Sequence, residues 1–289
     1  MGRITDLSIA GLNFRVHTPA PVPLEASFEP FRTDGGEVDW EIMIREVPEL
    51  QEIPAEQVYK NYLFWVRQNQ NGFFRCFPNH FDGKTPYAVT DIHWGSGKVE
   101  VTFLPAEADS FKTMDKCFSH VGFEELLIAR DRIILHSSAV ISDFGGILFS
   151  GPSGIGKSTQ AKLWEELEGS RLLNGDRPIL ESSNGRWMAH GSPYAGSSRC
   201  HLRESVPVSA IVLLEQGDRC HIRRVNPSEA FRKLYAQTVV NSWNPEYVNK
   251  VCDMLFRLIG SVPVYCLRCT PDADAVNLLK EVLEKGEQT

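Results

Sequence analysis

The sequence predicts a mixed α/β protein in two parts: a β-rich stretch over residues 1–110, then an α/β stretch over 111–289 built on a mixed sheet. Three observations predict it. Within residues 4–104 short runs alternate in character, with Val38, Trp40, Ile42 and Ile44 on one face and Asp39, Glu41, Met43 and Arg45 on the other, the period-two signature of half-buried strands. From Phe111 onward longer helical spacings alternate with apolar strand-like runs, as in mixed α/β domains. Finally, Asp143-Phe144-Gly145-Gly146 makes a tight turn between the apolar runs 133–142 and 146–150. A chain built only of parallel β-α-β units needs a long crossover at such a point, so this hairpin predicts a mixed or antiparallel sheet.

Taken in order, the first part is punctuated by turns at Gly35-Gly36, Asn71-Gly72, Asp82-Gly83 and Gly95-Ser96-Gly97. One helix interrupts it over residues 55–68, where Val58, Tyr62 and Trp65 or Val66 share a face. Residues 118–128 read as a helix and 133–142 as a strand. A helix over 157–167 carries Ala161, Leu163, Trp164 and Leu167, and residues 206–214 resume a buried strand. Asn226-Pro227 and Asn244-Pro245 open two further helices, 262–269 is a strand, and Thr270-Pro271-Asp272 caps the last helix. The apolar stripes of these helices read as core-facing.

Composition narrows the class. With 42% hydrophobic and 23% charged residues, the chain has ordinary globular usage and ample material for a core. No run of 18 apolar residues and no secretory pattern occur, so a soluble, cytoplasmic protein without a membrane partner is expected. The net charge of −7 argues against a nucleic-acid partner. Seven scattered cysteines, an odd number, predict reduced thiols rather than a disulfide framework. The close pair Cys266 and Cys269 falls on a strand with its side chains on opposite faces, which favours packing over metal or redox use.

The chemistry concentrates at residues 151–159, Gly151-Pro152-Ser153-Gly154-Ile155-Gly156-Lys157-Ser158-Thr159. This G-x-x-x-x-G-K-[ST] run sits between an apolar strand and a helix, where main-chain N–H groups and the helix dipole favour an anion. Through Gly151, Ser153, Gly154, Ile155 and Gly156 the backbone can wrap phosphate oxygens. Lys157 supplies a point charge for the terminal phosphates, and Ser158, followed by Thr159, supplies a hydroxyl for Mg²⁺. A nucleotide ligand with Mg²⁺ is expected, its base left open by the motif.

Further candidates surround it. Asp176 follows the apolar pair Leu172-Leu173, so its carboxylate is expected at a strand end near the loop; a turn or helix-cap aspartate before Pro178 is the alternative. His136 is either a general base or a hydrogen-bonded core histidine. The segment from Gly191 to Arg203 is rich in small residues and carries Arg199 and Arg203, which can pair with phosphate oxygens of a ligand or remain solvated on a connecting loop.

Together, Leu135-His136-Ser137-Ser138-Ala139-Val140, the hairpin, the loop at 151–159 and Leu172-Leu173-Asn174-Gly175-Asp176-Arg177 resemble the catalytic core of HPr kinase/phosphorylase. More broadly they resemble the phosphoenolpyruvate carboxykinase-like P-loop fold, including its small bacterial relatives found near peptide-modification genes. The resemblance covers residues 133–214. It implies an ATP- and Mg²⁺-dependent kinase acting on a hydroxyl of a peptide, protein or small metabolite. Lys157 matches the phosphate-loop lysine, Ser158 the magnesium-ligating hydroxyl, Asp176 an acidic residue of the second nucleotide motif, and His136 the histidine on the strand before the loop. The family carries two adjacent acidic residues in that second motif, whereas this chain has Gly175-Asp176. The departure opens a second reading, a nucleotide-binding regulatory or scaffold protein with weak transfer. The β-rich first part is left with three candidate roles: recruiting the acceptor, closing as a lid, or forming the surface of a homo-oligomer.

Overall fold

The computed structural model describes residues 2–79 and 83–286, so Asp82 of the turn expected at Asp82-Gly83 lies outside the described residues, and its contacts divide the chain after Ala129 into two units. The first contains strands β1 (Arg3–Ile9), β2 (Leu12–Thr18), β3 (Arg32–Thr33), β4 (Trp40–Glu46), β5 (Glu56–Lys60), β6 (Trp65–Asn69), β7 (Gly72–Pro78), β8 (Pro86–His93) and β9 (Lys98–Phe103), then helices α1 (Met114–His120) and α2 (Phe123–Ala129). The strands form one sheet in the order β3-β1-β2-β4-β9-β8-β7-β6-β5. Pairs β2–β4 and β4–β9 are parallel. Along β4 the expected alternation holds, Trp40, Ile42 and Ile44 being buried.

The unit boundary expected at 110 lies after Ala129 instead. Aromatic packing explains the shift: Phe111 stacks on Phe103 at 4.2 Å between ring centroids, and Phe118 and Phe123 both pack on Phe14 of β2. Residues 111–129 thus share the core of the β-rich unit, and apolar burial outweighs the change of local pattern.

Two further expectations are corrected. Residues 55–68 form the β5–β6 antiparallel hairpin rather than a helix. The side-chain oxygen of Asn61 accepts from the N–H groups of Leu63 and Phe64, both at 2.8 Å, closing a turn that competes with helix. Tyr62 is left exposed, while Trp65 packs with Phe74, Cys76 and Val89. The helix expected over 118–128 is two short helices, broken at Gly122, whose φ of +70° no helix accommodates.

The second unit runs β10 (Arg132–Ile134), β11 (Ser137–Ser142), β12 (Gly145–Ser150), α3 (Lys157–Glu168), β13 (Arg171–Asn174), β14 (Ile179–Ser183), β15 (Arg186–His190), β16 (Ser205–Gln216), β17 (His221–Arg224), α4 (Pro227–Tyr235), α5 (Pro245–Ser261), β18 (Val264–Cys269) and α6 (Ala273–Gly286). The predicted hairpin is present: β11 and β12 pair antiparallel from Ser137↔Ser150 to Ser142↔Gly145. Strand β12 then runs parallel to β16, and β16 parallel to β18, so the sheet is mixed. The single strand expected over 133–142 divides, because β10 pairs with β14 while β11 pairs with β12 and β13.

Strand β16 is long enough to serve two neighbourhoods, pairing β15 through residues 205–207 and β12 and β18 beyond them. Ile147, Phe149, Trp164, Val212, Leu267 and Leu279 knit β12, α3, β16, β18 and α6 into one core. Leu167, placed on the same stripe by its spacing, is exposed. The helix starts are as predicted: Asn226 and Asn244 accept from Glu229 and Glu246 N–H groups, and Asp272 from that of Asp274. Among the described residues no helix is long and apolar enough to cross a membrane.

Candidate functional site

The site begins where β12 ends. Ser150, the last residue of β12, is buried and donates its hydroxyl to the His136 carbonyl at 3.0 Å, tying the strand that enters the loop to the residue just before β11. The chain then turns through residues 151–156 into α3. Gly156 is the residue before the helix, with φ of +114°, and has no side chain to cap it. A side-chain carbon on Gly154 or Gly156 would meet nothing within 4 Å, so both border open space. Among the described residues the N–H groups of Gly154, Gly156 and Lys157 make no hydrogen bond. An arc of free donors at a helix N-terminus is an anion cradle.

Lys157 is nearly buried, and its Nζ donates to the carbonyls of Gly151 at 2.9 Å and Pro152 at 3.1 Å. Burial holds this ammonium below the usual lysine range, while the Asp176 carboxylate pulls the other way. With a third donor left over, the cation is poised to gain from a polyanion.

The opposite wall comes from the end of β13. The side-chain oxygen of buried Asn174 accepts from the N–H groups of Asp176 at 3.0 Å and Arg177 at 2.7 Å, and its nitrogen donates to the Ser192 carbonyl at 3.2 Å. That turn fixes Asp176, whose carbonyl also accepts from Ser137 N–H. One Asp176 carboxylate oxygen lies 3.2 Å from His136 Nε2 and the other 3.4 Å from Arg177 Nε. The far ring nitrogen of His136 faces Gln237 Oε1 at 3.1 Å. The side chains of His136 and Asp176 are 33% and 30% exposed: oriented by partners, yet still open to a ligand.

Between the walls lies a cavity of about 330 Å³ lined by His136, Lys157, Ser158, Asp176 and the loop residues Ser153, Gly154, Gly156 and Thr159. Of the remaining predicted residues, Gly151 tethers Lys157 from behind and Ile155 lines a neighbouring cavity. The Ser158 hydroxyl and Asp176 carboxylate are hard oxygen donors lining one space beside the free N–H groups of the loop. They fit Mg²⁺, a hard cation that takes one or two protein oxygens and fills the rest of its shell from ligand or water.

Arg199 and Arg203 fall elsewhere. Both are exposed and neither lines the cavity. What reaches it from that segment is the turn over Gly196–Ser198, with Gly196 and Ser197 in the lining. The small residues approach the site where the charged ones were expected, because a side-chain carbon on Gly196 would come within 2.9 Å of Asp176 Cβ. The same turn accounts for Gly175. A side-chain carbon there would fall onto the Ser198 side chain and within 3.0 Å of the Ala195 carbonyl, so a second acidic side chain next to Asp176 has no room here. Asn174 and Gln237 were missed from the sequence. Asn174 was legible as the start of an Asn-Gly-Asp turn; Gln237 lies 101 residues from His136 and carries no local signal.

No family model matches the sequence, and no curated protein matches it. Among solved structures the chain is similar to the HPr(Ser) kinase/phosphatase from Coxiella burnetii, at 14% identity and a TM-score of 0.32, over 54% of this chain and 90% of that one. The likeness is distant, and the chemistry of the site is read from its own residues.

Proposed function

We propose that the second unit binds ATP with Mg²⁺ and transfers the γ-phosphoryl group to a hydroxyl acceptor, a serine of a peptide or protein or a small metabolite. The observation that carries this reading is the convergence on one cavity of a donor-lined loop, Lys157, Ser158, Asp176 and His136. Phosphoryl transfer asks little covalent chemistry of a protein; positioning and charge neutralisation dominate. The loop amides and Lys157 hold the phosphates and offset charge that spreads onto their oxygens. Ser158 and Asp176 would hold Mg²⁺, which would supply Lewis-acid neutralisation of phosphate charge. The Asp176–His136 pair provides a proton acceptor for the attacking hydroxyl, oriented at its far end by Gln237. The 191–203 segment, through Gly196 and Ser197, forms the rim against which the acceptor rests.

A second reading is favoured by one specific observation, the closed space at Gly175. With a single carboxylate at this turn, the same site suits a nucleotide-binding regulatory or scaffold protein with weak transfer. Incubation with labelled ATP, Mg²⁺ and a panel of hydroxyl acceptors separates the two. A kinase labels an acceptor and loses the label in Lys157→Ala, whereas a binding module retains nucleotide in calorimetry and labels nothing. Absence of any Mg-nucleotide binding sinks both.

A further inference from the structure

A second cavity, of about 380 Å³, opens on the other flank of the same loop. It shares Gly154, Gly156 and Thr159 with the phosphate cavity, and its remaining wall includes Ile155, Gln160, Gln216, Cys269, Thr270 and Pro271. These residues sit at the carboxyl ends of the parallel strands β16 and β18, where α/β sheets hold ligands. Among the described residues no charged one lines it. The two hollows therefore divide in character, one with Lys157 and Asp176, the other neutral and partly apolar, and a ligand with a polyanionic end and a flat neutral end matches the division.

Gln160 adds an independent sign. It lies one turn along α3 from Lys157 and is 3% exposed. Its Nε2 donates to Cys269 Sγ at 3.3 Å, while its Oε1 is buried without a hydrogen-bond partner. Burial pushes the Cys269 thiol up to about 11, so the sulfur stays uncharged and serves as acceptor. An orphaned buried carbonyl is costly enough to call for an explanation. Gln160 lines the cavity, and the terminal torsion of a glutamine is soft, so a ligand seated there can draw the amide oxygen towards it.

Resting on the nucleotide reading above, we infer that this neutral cavity is the nucleobase subsite and that Gln160 is its specificity-determining residue, accepting from the amino group of adenine. Guanine carries a carbonyl oxygen where adenine carries that amino group, so the two oxygens would repel and adenine is favoured. Ile155 and Pro271 supply apolar surface for the faces of the ring, and the shared Gly154–Gly156 edge passes the phosphates to the neighbouring cavity.

Calorimetry on the full chain with Mg²⁺ tests this, using ATP, GTP and inorganic tripolyphosphate as probes. The wild type is expected to bind ATP at least about ten-fold tighter than GTP or tripolyphosphate. Gln160→Leu, close in volume, is expected to erase the preference for ATP over GTP while leaving tripolyphosphate affinity unchanged. Equal affinity of the wild type for ATP and tripolyphosphate overturns the base subsite, and does so without any variant. A Gln160→Leu loss shared equally by all three probes overturns the role of Gln160. Failure of every probe to bind the wild type overturns the phosphate cradle itself and the inference with it. Photolabelling with 8-azido-ATP gives a second readout: cross-linked peptides spanning 214–217 or 269–271 support the subsite, and labelling elsewhere alone overturns it.

Discussion

The two units treat charge in opposite ways. In the first, Arg75 on β7 is 4% exposed, donates to Glu125 and to Glu124 at 2.6 Å, and has the Phe64 ring 4.5 Å from its guanidinium carbon. Burial lifts the Glu125 carboxyl to about 7 even against the opposing pull of Arg75. Nearby, His120 is enclosed by Phe77, Phe111 and Tyr87, its Nδ1 facing the Lys116 carbonyl and its Nε2 the Tyr87 hydroxyl. In the second unit, His136, Asp176 and Lys157 have partners as well, but they face a cavity. The first cluster is satisfied by protein alone; the second is held in place and left with capacity for a ligand. That difference, more than the identity of the residues, separates an internal ion pair from a candidate active site.

Four experiments break or sharpen the contrast, from the largest effect down. Asp176→Asn keeps the shape of the turn and removes the carboxylate. It is expected to lower transfer to a hydroxyl acceptor by about 10²–10⁴-fold while moving stability by less than about 1 kcal/mol, since the pair with His136 is part exposed. A large loss of stability instead would place Asp176 with the first unit's charges.

Arg75→Met should do the reverse. Leaving Glu125 buried beside no cation costs about 3–5 kcal/mol in urea unfolding of the full chain. A cost near zero would mean that the carboxyl simply takes up a proton.

The third experiment uses pH. Burial lowers the His120 imidazole to about 4, against about 6.5 in an unfolded chain. The folded state therefore binds fewer protons between those values, so the contribution is present above 6.5 and fades as pH falls towards 4. Relative to His120→Gln, which has no such titration, the wild type should lose about 3 kcal/mol across that window. Parallel stability profiles for the two proteins would show that the ring titrates normally.

The smallest effect concerns the absent acid. Gly175→Asp should cost about 1–3 kcal/mol through overpacking against Ser198, and Ser198→Gly should recover part of that cost, as thermal unfolding of the double variant would reveal. No cost for Gly175→Asp would mean that the turn yields easily.

Legibility followed the reach of the signal. The glycine-rich turn into α3, the hairpin before it and the three capped helices of the second unit were readable because each is fixed by residues within one turn of one another. The helix over 55–68 failed because the carboxamide of Asn61 redirected two N–H groups, a local bond that outweighed a spacing of apolar residues. Long-range pairing stayed hidden. Nothing near His136 announces Gln237, and nothing near Gly175 announces that Ser198 fills its space. Arg199 and Arg203 were chosen for their charge, whereas close approach to the site selected the small residues Gly196 and Ser197.

The ladder joining β11 to β12 acts as a ruler. Because Ser137 stands opposite Ser150, the residue before one and the residue after the other, His136 and Gly151, leave the sheet at a common end. Side chains on a strand swap faces with every step. Adding residues at the Asp143-Phe144 bend only lengthens a protruding tip, whereas deleting a single residue inside either rail would shift the register and put the loop that follows β12 out of alignment with His136 and Asp176.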